Sequence, residues 1–303
     1  KITAMAAIKL AKDGLWQRAN TLFKPNLAKA DIALLGFPVH KSSITPNSCH
    51  LAPKAIRSAL ARYSTYSASN DVDLRELKIT DLGDVSGADS SNGKKVIAKK
   101  VNGLLDRYGL LIALGGDNSI TYTVTSGLFG DLSRVGLITL DAHHDLRDGN
   151  TNGSPVWRLI QSGLPGKNIV QIGISDFANS KEYSKRAKEA GIFVITRAQL
   201  RNKSIQEAMK QAFAHLGRNV DQIYVDLDVD VCDRSVAPAC VAATPGGISA
   251  DELRQAAFLA GANYKVCAID ITEIDPKRDS KDERTVRLSA LLVLEIAAGY
   301  KTR

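Results

Sequence analysis

The sequence predicts an α/β protein, a three-layer αβα sandwich with a central, mostly parallel sheet. Three observations carry this expectation. Short apolar, β-branched runs alternate with amphipathic stretches of helical period. Those runs are almost continuously apolar, the pattern of strands buried on both faces. No Pro- or Gly-rich linker, repeat or low-complexity segment breaks the series, so residues 1–303 read as one domain.

In chain order, strands are expected at Ile32–Val39, Leu110–Leu114, Val135–Leu140, Ile169–Ile174, Phe193–Thr196, Ile223–Val229 and Val266–Ile271. Helices are expected at Pro53–Arg62, Lys95–Tyr108, Ser180–Ala190, Ser204–Leu216, Ala250–Ala260 and Arg284–Tyr300. Several begin with a capping residue; Ser249-Ala250-Asp251-Glu252 has the capping-box pattern, in which Ser and Glu satisfy each other's backbone N–H groups.

The bulk numbers narrow the classes. Hydrophobic content of 44% and charged content of 24% argue for a folded rather than a disordered chain. No apolar run reaches the roughly 18–20 residues of a membrane span. The stretch Lys1–Trp16 has Lys1, Lys9, Lys12 and Asp13 among its apolar positions, unlike a signal peptide. A cytoplasmic protein is expected. Cys49, Cys232, Cys240 and Cys267 form no C-x-x-C pair and no zinc-ribbon spacing, and read as buried free thiols. The formal charge of +8 raises the question of nucleic acid, but Lys and Arg are scattered and interleaved with Glu and Asp. Neither nucleic acid nor membrane is expected as a partner. A modest positive field favours a small anionic substrate instead.

In sheets of this kind ligands gather beyond the carboxyl ends of the strands. Four expected strand ends carry chemistry there. Leu110–Leu114 runs into Gly115-Gly116-Asp117-Asn118-Ser119, and Val135–Leu140 into Asp141-Ala142-His143-His144-Asp145. Ile223–Val229 carries Asp226 and Asp228, followed by Asp230 and Asp233, and Val266–Ile271 leads to Glu273-Ile274-Asp275-Pro276. Asp141, His143 and Asp145 alternate, so an extended backbone turns them to one side, and Asp228 and Asp230 share a parity. Carboxylates converging in this way repel one another unless cations neutralise them. An oxygen-rich set with one imidazole suits a hard divalent ion, manganese or magnesium ahead of zinc. Helix caps and surface ion pairs would account for one such motif; two alternating motifs at two strand ends point to metal.

The other histidines have weaker claims. His144 faces away from its neighbours in the same zigzag and reads as structural. His215 sits near a helix C-terminus, where it caps the dipole or is solvated. His40, beside Lys41-Ser42-Ser43, is a candidate for a pocket rim. Gly115-Gly116-Asp117-Asn118-Ser119 is neither G-x-G-x-x-G nor a Walker A loop, and no G-x-S-x-G elbow is present.

Together, Asp141-Ala142-His143-x-Asp145, Asp228-x-Asp230-x-x-Asp233 before Ala237-Pro238, and Glu273-x-x-Pro276 resemble the ureohydrolase family of arginase, agmatinase and formimidoylglutamase, from about Phe37 to the last helix. The resemblance implies an arginase-like fold, a parallel sheet between two helical layers. It also implies two manganese ions held by Asp141, His143, Asp145, Asp228 and Asp230, with Asn118 where most of the family has a ligating His. It assigns Glu273 to the cationic amidine or guanidine and implies a homo-oligomer, trimer or hexamer.

Within the family, Asp145-Leu146-Arg147, Lys41-Ser42-Ser43-Ile44 and Thr151-Asn152-Gly153-Ser154-Pro155 look like the bacterial formimidoylglutamase branch. That branch implies hydrolysis of N-formimidoyl-L-glutamate to L-glutamate and formamide, a step of histidine breakdown. Another ureohydrolase, such as an agmatinase or guanidino-acid hydrolase, or a non-catalytic homologue with a degraded metal site, is the alternative. Asp145 then relays a proton to the leaving amine. Lys41, Ser43, Arg147, Asn150 and Asn152 are candidates to hold the substrate carboxylates, Arg147 and Asn152 foremost. Arg147 presents a planar fork suited to a carboxylate; pairing with Asp148 or a ligand aspartate is the other reading. Three departures from the family stand out. Asn118 offers a neutral amide oxygen in place of an imidazole, which makes the first metal site weak. Asn152 replaces the proton-shuttling His of arginases. Asp226 stands where Ser is common, adding a charge that the sequence does not explain.

Overall fold

The computed structural model describes residues 13–303. Residues 1–12, which hold most of the opening stretch read as unlike a signal peptide, lie outside the described residues. The elements run β1 (Phe23–Pro25), β2 (Ala30–Phe37), α1 (Ala52–Leu60), β3 (Tyr66–Ser67), β4 (Val72–Asp73), β5 (Ile79–Asp84) and α2 (Gly93–Val101). They continue with β6 (Tyr108–Gly115), α3 (Ser119–Leu128), β7 (Val135–Leu140), α4 (Pro155–Gln161), β8 (Ile169–Ile174) and α5 (Lys181–Ala190). The last third holds β9 (Phe193–Thr196), α6 (Ile205–Leu216), β10 (Gln222–Asp228), α7 (Ala250–Ala262), β11 (Val266–Thr272) and α8 (Arg284–Lys301).

Nine strands form one sheet in the order β1-β5-β2-β6-β11-β10-β7-β8-β9. Every pairing in it is parallel. β3 and β4 make a separate antiparallel pair. Alternate residues of the strands feed two cores. Ile32, Leu34, Leu110, Ile112 and Val225 join the side chains of α1, α6, α7 and α8, whereas Ala33, Leu35, Leu111, Leu137 and Tyr224 join those of α2, α3, α4 and α5. Both faces of each strand are covered, which is why the strands read as unbroken apolar runs. Each large aliphatic side chain so buried contributes about 1.5–3 kcal/mol. The three-layer αβα sandwich follows. No described helix is long and apolar enough to cross a membrane, and all four cysteines are buried free thiols.

The seven expected strands are present, three with the expected ends and four with ends shifted by at most two residues. The helix expected over Lys95–Tyr108 stops at Val101, because Gly103 takes the left-handed conformation (φ 71°) and Tyr108 already opens β6. Six elements were not expected: β1, β3, β4, β5, α3 and α4. In β5, Ile-Thr-Asp-Leu-Gly-Asp carries two acids and fades from buried to exposed, so no apolar run marks it. In α3, Ser-Ile-Thr-Tyr-Thr-Val-Thr-Ser-Gly-Leu is rich in β-branched residues, whose intrinsic preference is for strands. Packing against the sheet overrides it.

Candidate metal centre and active cleft

Four strands end side by side at the middle of the sheet, in the order β6-β11-β10-β7. β6 and β7 follow each other in sequence but stand apart, because β11 and β10 enter between them. Such a switch point opens a crevice beyond the strand ends, and the acidic blocks lie there.

Asp141, His143 and Asp230 converge, with one ligand atom from each inside a 4.8 Å circle of mutual distances. His143 Nδ1 lies 2.6 Å from Asp230 Oδ2 and 3.5 Å from Asp141 Oδ1. Asp145 and Asp228 line the same cleft as His143 and Asp230. The convergence does not come from an extended zigzag, as the spacing suggested. Asp141 accepts a hydrogen bond from the His143 backbone N–H (2.6 Å), and Asp228 accepts one from that of Asp230 (2.9 Å). Each motif therefore curls back on its first aspartate. Asp230 sits in a 3-10 turn, Val229–Val231, rather than in β10. The Ala142 N–H donates to Asp230 Oδ1 at 2.9 Å and stitches the two motifs together. Asp145 takes φ +53°, a left-handed conformation uncommon for a non-glycine residue.

The electrostatics of this group call for positive charge. Burial and Asp230 push Asp141 up to about 7. Burial and the neighbouring acids hold Asp145 and Asp228 well above the usual carboxylate range. Asp230 is pulled below it by His143, against the opposing effect of burial, and His143 is pushed up to about 12 by Asp230. The imidazolium thus acts as counter-charge. Asp141 Oδ2 is buried with no hydrogen-bond partner. An orphaned carboxylate oxygen among further buried carboxylates and one imidazole is a donor set that fits a hard divalent cation. Binding one would release the imidazole proton. His144 points away, as expected: it is buried, with Nδ1 2.7 Å from Gln171 Oε1.

Across the cleft, β6 and β11 are built differently. Gly116 brings the end of β6 against the segment after β2; a Cβ there would lie 1.8 Å from the Val39 carbonyl oxygen. The Glu273 N–H donates to Gly116 O at 3.0 Å, and Glu273 has φ +67°. Its Oε1 accepts from the Asn118 backbone N–H at 2.7 Å and from Asn152 Nδ2 at 2.9 Å. Burial first, then Asp117, pushes Glu273 up to about 8. Asn118 donates through Nδ2 to Asp145 Oδ2 at 2.6 Å, while its Oδ1 accepts from the hydroxyls of Thr121 (2.8 Å) and Thr272 (3.1 Å). In this orientation the amide gives the aspartates a donor, and its oxygen, the only atom able to ligate, faces two hydroxyls.

The cleft encloses about 270 Å³, and its walls include Arg147, Asn152, Tyr183 and Glu273. Asp148, the alternative partner for Arg147, is held by Arg186 at 3.0 Å, and the Arg147 stem packs over Gly153. Three other sequence candidates lie elsewhere. Ser43 donates its hydroxyl to Asp117 Oδ2 at 2.8 Å, whereas Lys41 and Asn150 line a neighbouring cavity. Asp117, fully buried, accepts from Ser42, Ser43 and Ser119, which commits the Ser43 hydroxyl, while Ser42 O and the Ile44 N–H hold Asn152 at the cleft wall. The sequence marks Asp117 only as a strand-end acid two residues before Ser119; Ser42 and Ser43, its other partners, are more than seventy residues away.

Comparison with known proteins places this geometry. The family model described as Arginase family matches residues 30–299. The chain belongs to the arginase family. A formimidoylglutamase of Halalkalibacterium halodurans is 38% identical over 275 residues, covering 88% of this chain and 86% of that protein. The crystal structure of formimidoylglutamase from Bacillus subtilis superposes with a TM-score of 0.91 at 31% identity, covering 99% of this chain and 96% of that one. A manganese-bound Trypanosoma cruzi formiminoglutamase, at 24% identity, shares the fold with a TM-score of 0.88 over 95% of this chain and 99% of that one.

The arginase-family frame leaves Asp226 to explain, and the structure does so. Asp226 is paired in register with Thr139 of β7 and Asp270 of β11, one rung below the metal cluster. Both carboxyls are fully buried. Burial and Asp270 hold Asp226 well above the usual range, while Asp270 rises to about 6 through burial, against hydrogen bonds from Asp226, Tyr224 and Thr121. Two adjacent buried carboxyls cannot both ionise, so they share one proton. Asp226 is therefore the neutral partner, facing Asp270, whose Oδ2 accepts from Tyr224 (2.7 Å) and lies 2.8 Å from the Thr121 hydroxyl. It adds no net charge to the cleft.

Proposed function

We propose that the chain, acting as a single unit, hydrolyses N-formimidoyl-L-glutamate to L-glutamate and formamide. The observation that carries the reading is the pairing, in one cleft, of a cation-demanding group of acids with a separate buried carboxylate and an arginine that makes no ion pair among the described residues. Asp141, His143, Asp145, Asp228 and Asp230 would hold two manganese ions. Asn118 would join them only after its amide turns the oxygen inward, so the first site is the weaker. Bound manganese supplies Lewis acidity, lowering the pKa of water from about 15.7 toward about 7.

The residues of the chain do the rest. Glu273 is buried, costly to ionise alone, and has one oxygen left over from its two hydrogen bonds; an amidinium supplies the missing charge and a matching N–H. Asn118 and Asn152 fix that carboxylate in place through Oε1. Arg147, at the rim, pairs with the substrate carboxylates as a bidentate donor, and Asn152 lies beside it. Asp145, reached by the Asn118 amide, carries a proton to the departing amine. Agmatine, which has a cationic end and no carboxylate, would meet Arg147 unfavourably. The same reading places the chain in histidine breakdown as a cytoplasmic trimer or hexamer.

The test is an assay of purified, manganese-supplied protein on formimidoylglutamate, arginine and agmatine. Formamide release from the first alone is expected. Urea from either of the others points instead to another ureohydrolase, and silence on all three points to a binding protein.

A further inference from the structure

The neighbouring cavity that takes Lys41 and Asn150 has a chemistry of its own. It encloses about 360 Å³ and shares no lining residue with the metal cleft. Arg158 of α4, a residue only 9% exposed, lines it. Arg158 is stacked on Tyr122, its guanidinium carbon 3.4 Å from the ring centroid. It forms no ion pair among the described residues, and burial lowers its pKa. Lys94, in the first turn of α2, lies close enough to feel that charge: burial and Arg158 lower its pKa. It too is without an ion pair among the described residues. Two like charges, one of them nine-tenths buried, thus face one space with no carboxylate answering them.

The rest of the lining suits an anion. α2 is nine residues long, with no side-chain cap on its first turn and no acid within it; the Gly93 and Lys95 N–H groups are taken by Ser90 O and Asn92 O, so the helix contributes its dipole to the positive field. Ser90, Ser91 and Thr123 supply hydroxyls. The one acid in the lining, Asp89, is already engaged by His40 Nδ1 at 2.7 Å and by the backbone N–H groups of His40 and Lys41. A buried guanidinium without a counter-ion is unfavourable; filling this space with an oxyanion relieves it. The volume exceeds that of a bare ion, each water in the liquid taking about 30 Å³.

We propose that this cavity is a second ligand site, distinct from the metal cleft, that binds the phosphate or carboxylate group of a small metabolite through Arg158, Lys94 and the start of α2.

Calorimetric titration of the manganese-loaded, desalted full chain with inorganic phosphate and, separately, with glutarate tests it, against sodium chloride at equal ionic strength. Saturable binding of at least one anion is expected. It should weaken about tenfold or more in Arg158→Gln, the loss of one charge-assisted hydrogen-bonding group, and vanish in Lys94→Glu. Lys94 is exposed, so its variants keep the test valid if Arg158→Gln fails to fold. Binding should persist in Arg147→Ala, which alters only the metal cleft. Phosphate alone binding identifies a phosphorylated ligand, and glutarate alone a carboxylate. No saturable binding above the chloride control, an affinity unchanged by Lys94→Glu, or binding abolished by Arg147→Ala overturns the proposal.

Discussion

The two halves of the cleft solve the problem of buried acids in opposite ways. On the β7–β10 half, Asp141, Asp145, Asp228 and Asp230 face one another and lean on a single imidazolium, with Asp141 Oδ2 left without a partner. On the β6–β11 half, each acid is answered by neutral donors: Asp117 by three serines, Glu273 by two amide groups. One half lacks a full counter-charge among its acids, whereas the other has its carboxylates fixed by neutral donors and leaves Glu273 one oxygen for a cationic group of the substrate. The lesson is that local hydrogen bonding, rather than the count of acids, marks where charge must be supplied from outside.

The largest expected effect breaks the β7–β10 half. Asp228→Ala should lower turnover of formimidoylglutamate by about 10²–10³-fold or more, with elemental analysis showing loss of bound manganese. Full metal retention with normal turnover would remove Asp228 from the ligand set. Glu273→Gln tests the β6–β11 half: kcat/KM should fall by on the order of 10²-fold, with manganese content unchanged. A drop in manganese there would mean that the halves are not separable.

A smaller effect is expected at the rim. Arg147→Ala should raise KM about tenfold, the loss of one charged hydrogen-bonding partner, with kcat little changed. An unaltered KM would take Arg147 out of substrate recognition.

Chelation sharpens the contrast through pH. Asp141 is raised from 3.8 to about 7 and Glu273 from 4.5 to about 8. A carboxyl whose folded value is raised binds more protons folded than unfolded between the two values, so stability falls as pH rises through that window. The metal-free protein should therefore lose stability between about pH 4 and pH 8, whereas manganese offsets the repulsion. The fall in Tm on adding a chelator should be greater at pH 8 than at pH 6. Equal falls at both would contradict the shared-cation account.

The smallest effect belongs below the cleft. Asp226→Asn keeps a neutral donor to Asp270 and should change urea-unfolding stability by less than about 1 kcal/mol, while Asp226→Ala, which leaves Asp270 short of a donor, should cost about 1–3 kcal/mol. A large loss from the Asn variant would show that the pair needs its proton rather than a donor.

Much of this was legible in the sequence, for identifiable reasons. The sandwich followed from doubly buried strands, whose apolar runs are hard to miss, and the gathering of acids in one cleft followed from where those runs stop. What stayed hidden depends on contacts distant in sequence. α3 looks like a strand until the sheet covers it. Nothing local reveals that the Ser43 hydroxyl is committed to Asp117 or that Lys41 lines a different cavity. The neutrality of Asp226 needs Asp270, a neighbour only in the sheet. The amide orientation of Asn118 is set by Thr121 and Thr272, and residue identity alone reads it as an oxygen donor.

The sheet order also governs how the molecule is made. β6 and β7 emerge early from the ribosome but are joined only through β10 and β11, which are synthesised last. Until then the nascent chain holds two part-sheets with open inner edges, which are sites for mispairing, and long-range closure of this kind is slow. A ribosome that stalls shortly before residue 266 would release a product with most of its secondary structure and no working centre. Loss of the C-terminal quarter should thus produce aggregation rather than a smaller, weakened enzyme.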